Sequence, residues 1–451
     1  MSRKEFVPNQ WLNPRSAKVA VMPRRRFMGR QMMQWPGRDR TRRMLVAVFV
    51  VVLLSLSTNA NIIANANALE SDEIGRVATL SAPDPHWVWV PDRLLQHSIL
   101  YDGDSGDVLG MIDNPAMLTP RAPILSRKRS EFYSVDLDYD RGRRGTRIDY
   151  VTIYDIETLL PVGEISLPLK SAESNTGLGH VVMLDGEKFL LVFSQSPQPV
   201  TTVVDLEDRK VVDQIATAGC AGLYPVGPLR FASLCGNGTV LLHVLAEDGR
   251  LQERIHSEPF FDTLKDPVFT VADRAAESWV FVSFEGSVHQ VDFSSGTPVA
   301  RPAWNVLNET DREEDWRPGG LQHVAVHGAS EQLFVVMHQG GAGTHKDAGP
   351  ELWRFDLADG ARSGRISVPN LAADFLGPLL EVEPDSLADT VLRWVVPNPG
   401  VHSIVISQDK DPVLFVRNAE MGVVGVIDPN TGEHLRSLTE AGLFGPTLGV
   451  H

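Results

Sequence analysis

Residues 204–215, VDLEDRKVVDQI, decide the fold. Apolar residues run into an aspartate, a short polar turn follows, and a second apolar run begins. That order reads as strand, tight connection, strand. The same pattern returns along most of the chain, and a hairpin repeated at blade-sized spacing points to a repeat architecture.

Seven such units follow residue 70. They are ILYDGDSGDVLGMI (99–112), VTIYDIETLLPVGEI (151–165), the opening example, LLHVLAEDGRLQERI (241–255), VHQVDFSSGTPVA (288–300), LWRFDLADGARSGRI (352–366) and VGVIDPNTGEHLRSL (423–438). The fourth lacks the aspartate at the usual place. Their turns centre near residues 102, 155, 205, 247, 292, 356 and 428. The first four spacings suit propeller blades, and the last two require insertions. Asp suits these turns because its side chain bonds its own backbone, and Gly because it accepts positive φ. Further short apolar runs precede several of the hairpins, among them 187–193 (EKFLLVF), 278–284 (SWVFVSF) and 332–337 (QLFVVM). Three or four strands per unit is the content of a blade. The predicted fold is therefore all-β, a seven-bladed β-propeller.

The insertions are polar. Residues 300–320 are expected to hold a short helix around 305–315 and to end in a Pro-Gly-Gly turn. Residues 338–350, HQGGAGTHKDAGP, read as a glycine-rich loop. Residues 368–394 form the longest irregular stretch, with 379–388 a local helix or surface excursion. Ring closure is expected to borrow a strand from the start of the chain for the last blade, either 74–80 (IGRVATL) or the aromatic run 87–90.

The first 43 residues are strongly basic, and an apolar run, MLVAVFVVVLLSL, occupies 44–56. It is short for a membrane span and typical of a signal-peptide core. Ala66-Asn67-Ala68 offers a small-x-small cleavage site, which assigns 1–68 to a leader and 69–451 to a single propeller domain. An uncleaved membrane anchor is the other reading. Arg24-Arg25-Arg26-Phe27 resembles a twin-arginine signal, although it lies well ahead of the apolar core. The leader carries 12 Lys+Arg against 2 Asp+Glu, so a whole-chain charge of −15 leaves −25 on the remainder. That balance argues against nucleic acid as a partner.

Only two cysteines exist, Cys220 and Cys235. In an exported chain they favour a disulfide. Two buried free thiols are the alternative, and two thiols alone do not complete a metal site.

No HExxH, phosphate-binding glycine loop, haem-attachment motif or GxSxG elbow is present. His323 and His327 sit in LQHVAVHGAS, which alternates like a strand, so both are expected to be polar residues on an exposed strand face. His338 and His345 flank the glycine loop and, with Lys346 and Asp347, suggest a polar rim for a partner. Trp316 and Arg317 belong to the residue types favoured at interface hot spots. Packing between blades is the other role for the tryptophans there and at 87 and 89.

Several blocks in sequence order resemble the heavy subunit of tryptophan tryptophylquinone-dependent amine dehydrogenases, the methylamine and aromatic amine dehydrogenase family. They are DGDSG (102–106) with VLGMID (108–113), RIDYVTIYDIETLLP (147–161), the cysteine pair, WRPGG (316–320) with QHVA (322–325), and residues 407–409 with 412–414. MHQGGAGTHK (337–346) is more similar to the aromatic amine branch. The resemblance implies an internal Cys220–Cys235 disulfide and no catalytic, cofactor or metal ligand set of this chain's own. It implies a small cysteine-rich light subunit that carries the quinone, an α2β2 heterotetramer, and a periplasmic blue copper protein of amicyanin or azurin type as electron acceptor. The reaction implied converts a primary amine, water and an oxidised acceptor to an aldehyde, ammonia and reduced acceptor. The family's channel-lining region corresponds to the neighbourhood of residues 92–96. Two features depart from the family pattern, the long basic leader and the length of 382–394. A non-catalytic propeller used for protein binding is the competing function. A stand-alone propeller hydrolase would need an acidic metal cluster at the blade tips, and none is evident.

Overall fold

The computed structural model describes residues 79–114, 121–142, 144–172, 178–445 and 447–450. The segment expected to be a leader, 1–68, with its expected cleavage site, and residues 74–78 lie outside the described residues. Seven antiparallel sheets of four or five strands form a seven-bladed β-propeller. Blade 1 contains Trp87–Asp92, His97–Asp102 and Val108–Asp113. Blades 2 to 7 occupy residues 124–167, 181–216, 220–256, 268–305, 316–367 and 403–438.

Closure runs opposite to the expectation. The first blade, not the last, is shared between the chain ends. Its innermost strand is Gly449–Val450, which pairs Val88 with Val450 and Trp89 with Gly449. Of the two candidate segments, the aromatic run 87–90 makes this junction. Its four residues are all buried, because they sit second from the axis between two blades.

The core is a set of interfaces. Seven apolar clusters fill the seven gaps between adjacent blades. Strand periodicity makes this possible, because alternate side chains point to opposite faces. In Phe189–Ser194, Leu190 and Val192 face blade 2 while Leu191 and Phe193 face blade 4, so all six residues are buried. Outer strands are covered less and carry charges, as in Lys210–Ala216.

All seven sequence units are the hairpins between the third and fourth strands of a blade. At the turn of unit 3, the Asp205 carboxylate accepts from the amides of Glu207 and Asp208. Asp102, Asp155, Asp292, Asp356 and Asp428 cap their own turns in the same way. Four residues after each anchor the backbone enters the left-handed region: Gly106, Leu159, Arg209, Gly249, Gly296, Gly360 and Gly432. On this register blade 4 is anchored at Leu245, not at 247. Having no carboxylate there, it borrows Asp248 to hold the amide of Arg250.

The insertions are helical where polar caps permit. Helix α1, Glu309–Glu313, lies inside the expected 305–315 segment and begins with a reciprocal Asn308–Asp311 capping box. Residues 368–394 hold two helices, α2 (Leu371–Leu379) and α3 (Leu387–Val395). The segment 379–388 read as a helix or excursion is mainly the link between them. Asn370 and Ser386 cap the two helices, a signal that the sequence reading passed over.

Candidate partner-docking site

The ring has two ends. One carries the first-to-second and third-to-fourth strand turns. The other carries the second-to-third strand loops and the connections between blades. Two cavities along the axis, of about 600 and 450 Å³, reach residues of both ends: Arg274, Gln408, Arg127 and Glu187 at the first, and Arg121, Leu178 and Thr447 at the second. Their walls are mainly apolar residues of the innermost strands, among them Val182, Val271, Val324 and Val450. Asp273 beside this wall has its carboxyl pushed up to about 6 by burial. It accepts from the amides of Val326 and Arg274, a structural cap.

The second end is built around the 92–97 loop of blade 1. Asp92 is buried, and its Oδ1 accepts from the amides of Leu94 (2.6 Å) and Leu95 (3.0 Å). Gln96 completes the reversal at φ 59°. With its polar groups spent inward, the loop presents Leu94 and Leu95 to solvent at 60% and 66% exposure. Behind it lies Arg417, wholly buried. Its guanidinium donates to the carbonyls of Pro91 (2.8 Å), Thr447 (3.2 Å), Ala441 (3.1 Å) and Gly442 (3.3 Å). Burial lowers its pKa to about 10, opposed by the Asp92 charge, so it remains a cation at neutral pH.

The segment 441–447 is thereby fastened against blade 1. A Cβ on Gly445 would stand 2.1 Å from the Pro91 carbonyl oxygen, so only glycine fits. Between these fixed points Phe444 adopts φ 57° and is half exposed. An exposed aromatic residue in the left-handed region is sterically costly and persists only where its surroundings impose it. Leu94, Leu95 and Phe444 are thus apolar side chains held outward by a buried polar scaffold. That combination suits a docking face, since rigid apolar anchors lose little entropy on binding.

The residues singled out from sequence gather at this same end, around blade 6. Trp316 packs between blades 5 and 6 against Trp353, with Arg365 stacked on its ring, which is the interblade role. His338 is buried and its Nε2 meets Thr344 Oγ1 at 2.8 Å. These two support the face from inside. Arg317 reaches toward Glu285 at 3.9 Å, and His345, partly exposed, stacks on Phe284 at 4.0 Å.

His323 and His327 correct the sequence expectation, because neither lies on an exposed face. His323 is fully buried with its ring 3.7 Å from that of Phe269, and burial depresses its pKa to about 3. His327 bonds Ser330 Oγ and the Asp409 carbonyl. Blades cover both faces of an inner strand, which alternation alone does not reveal. The cysteines lie opposite one another on the first two strands of blade 4 and form the Cys220–Cys235 disulfide.

Among the described residues, metal-ligating groups converge only at Asp84, His86 and Asp104. Burial works against protonation of His86, and Asp104, Asp409 and Asp84 outweigh it, so its pKa is raised. Its ring is already bonded to Asp104 (2.9 Å) and to the Asp411 carbonyl (3.2 Å).

The class the geometry defines is a seven-bladed propeller whose second end carries exposed apolar side chains. More narrowly, the methylamine dehydrogenase heavy chain family model matches residues 84–372, and the chain belongs to that family. The methylamine dehydrogenase heavy chain of Paracoccus versutus is 28% identical over 379 residues, covering 82% of this chain and 80% of the relative. That of Methylorubrum extorquens is 26% identical over 364 residues, covering 79% and 80%. Among solved structures, the dihydro-heme d1 dehydrogenase NirN aligns with a TM-score of 0.50 at 13% identity, over 82% of this chain and 77% of that one; the likeness is one of fold alone. Heavy-chain membership implies a light-chain partner. Leu94 and Leu95 fall in the neighbourhood flagged by resemblance, whereas Phe444 and Arg417 went unnoticed. The signal available for Phe444 was an aromatic between near glycines in GLFG.

Proposed function

We propose that this chain is the heavy subunit of a periplasmic quinoprotein amine dehydrogenase. The observation that carries the reading is the pair Leu94 and Leu95, held out by Asp92 and Arg417 on a chain of the heavy-chain family. In this reading the apolar end receives a small cysteine-rich light subunit with tryptophan tryptophylquinone, in an α2β2 assembly. The quinone, when present in that partner, supplies a carbonyl that oxidises a primary amine to an aldehyde and ammonia. This chain contributes position and dryness. Apolar side chains at the rim exclude water, which strengthens electrostatic interactions in the enclosed site. A rigid rim fixes the approach of the amine, and orientation of that kind is worth several kcal/mol in a bound complex. Electrons leave to a blue copper protein of amicyanin or azurin type. Export through the basic leader places the complex in the periplasm.

The test is the double variant L94D/L95D, expressed in the native host. The expected result is a folded propeller that loses at least about tenfold in light-chain affinity, since a charge pair at an apolar centre costs more than 1.4 kcal/mol. Light-chain binding at wild-type strength would sink the assignment of this face.

A further inference from the structure

Helix α3 is amphipathic in the wrong sense for a lone propeller. Leu387, Val391 and Trp394 recur at i, i+4 and i+7 and form one stripe. They are 81%, 45% and 80% exposed. The opposite side, turned toward the ring, holds the charge pairs. Arg393 bonds Asp389 (2.9 Å) and Asp374 of α2 (2.7 Å), and Asp374 also accepts from Ser437 on the outer strand of blade 7. Asn370 donates to the carbonyl of Val396 just past the helix (2.8 Å), and Asn398 to that of Val368 (2.9 Å). The helix is therefore fastened in this orientation, with its apolar side outward. Leu379 and Leu380 at the end of α2 add exposed apolar surface, at 67% and 45%. The family match stops at residue 372, so the helical pair beyond its first two residues, α3 included, lies outside the segment matched by that family model.

We propose that this stripe is a two-fold contact between two copies of the chain, with α3 packed antiparallel on α3 about an axis at Val391. Three observations favour a second copy. The stripe is self-complementary: antiparallel packing lays Trp394 on Leu387 of the second copy and leaves the smaller Val391 at the axis. The charges are arranged for that orientation. Glu381, Glu383 and Asp385 precede the helix, while no acid follows Asp389 through residue 398. Antiparallel packing aligns opposite helix dipoles. It also keeps the two acidic ends roughly 18 Å apart at a 1.5 Å rise per residue, beyond the ~8 Å screening length. The area is adequate as well. The exposed apolar side chains of the helical pair amount to on the order of 1,000 Å² over two copies, near the lower edge of stable interfaces. An anionic lipid surface is disfavoured by the charge of −25 on residues 69–451 and by the three acids beside the stripe.

This inference rests on the amine dehydrogenase reading for the light chain alone; heavy-chain pairing is read separately from light-chain binding, so failure of one is distinguishable from failure of the other. The experiment uses the complex purified from the native host. Both native cysteines are in the disulfide, so V391C adds the only free thiol of the described residues. On mild oxidation V391C is expected to give a covalent heavy-chain dimer with light-chain content and amine oxidation retained. By sedimentation, W394E is expected to halve the mass of the assembly, again with the light chain bound. Both positions are solvent-facing, so folding is not at stake, and circular dichroism checks it. A V391C thiol that stays open to maleimide without dimerising, beside an unchanged mass for W394E, overturns the proposal. So does a W394E complex that sheds its light chain and keeps its heavy-chain pairing, which would assign the stripe to the light chain.

Discussion

Arg417 and Pro91 are 326 residues apart and are joined by a 2.8 Å hydrogen bond from the guanidinium to the carbonyl. That bond ties blade 7 to the loop of blade 1 at the point where the ring closes. It also positions the apolar end, because the same guanidinium holds 441, 442 and 447. R417M removes the charge and keeps the bulk. It leaves four buried carbonyls and Asp92 without their cation, and is expected to cost about 3–5 kcal/mol. Urea unfolding measures the loss, and hydrogen exchange should rise first in 441–447 and 92–96.

The seven turns share one left-handed position, which sets up a paired comparison. At Gly249 (φ 81°) a Cβ would meet Phe189 at 2.6 Å and Val212 at 2.7 Å. G249A is expected to destabilise by about 1–3 kcal/mol. Arg209 holds the equivalent place in blade 3 at φ 50° and pairs with Glu131 at 2.7 Å. R209G relieves backbone strain and loses a partly exposed ion pair, so the expected change is under about 1 kcal/mol. Thermal midpoints of the two variants decide the matter.

The disulfide closes a short loop between adjacent strands, with a sequence separation of 15. C220S/C235S is expected to lose about 3 kcal/mol in the chain-entropy model. The fold should survive, since the interblade clusters remain, and a lowered unfolding midpoint with unchanged far-ultraviolet dichroism is the signature.

Acid stability follows from buried groups of two kinds. Burial depresses His323 to about 3 and His180 and His243 to about 4, so the unfolded chain takes up these three protons first, near pH 6.5. Burial raises Asp136 and Asp273 to about 6, so below that pH the folded chain holds two protons that the unfolded chain lacks until about 3.8. Between about pH 6 and 4 these five groups leave the unfolded state one proton ahead. His289, His338, His345 and His402, which burial also depresses, add to that lead, so stability should fall on acidification by at least about 1.4 kcal/mol per pH unit. H323L removes one of those protons and should lessen the slope by about 1.4 kcal/mol per pH unit over the same window. Denaturant midpoints at pH 7, 6 and 5 for both proteins provide the check.

The blades were legible because each hairpin carries its own chemistry. An Asp that caps its turn and a glycine four positions on are local facts, visible in DFSSG (292–296) or DLADG (356–360) without any tertiary context, whereas Leu159 and Arg209 take the same left-handed place with no sequence mark. The closing strand was not legible. Gly449–Val450 is two residues long, and its pairing with Val88 and Trp89 depends on the ring being complete. The buried histidines were misplaced for a related reason, since an inner strand meets a neighbour on both faces whatever its own alternation. The docking end was half visible. Resemblance pointed to residues 92–96, whereas Arg417 gains its role only from carbonyls that two distant segments, at Pro91 and at 441–447, bring together.

Mass spectrometry on the complex purified untagged from its native host tests the central claim most directly. The expected result is a small cysteine-rich subunit that co-purifies with this chain, its mass showing a crosslinked, oxygenated tryptophan pair. An amine panel with a dye acceptor then identifies the substrate. A chain that elutes alone, or with a partner lacking that modification, contradicts the assignment and leaves the propeller as a binding scaffold.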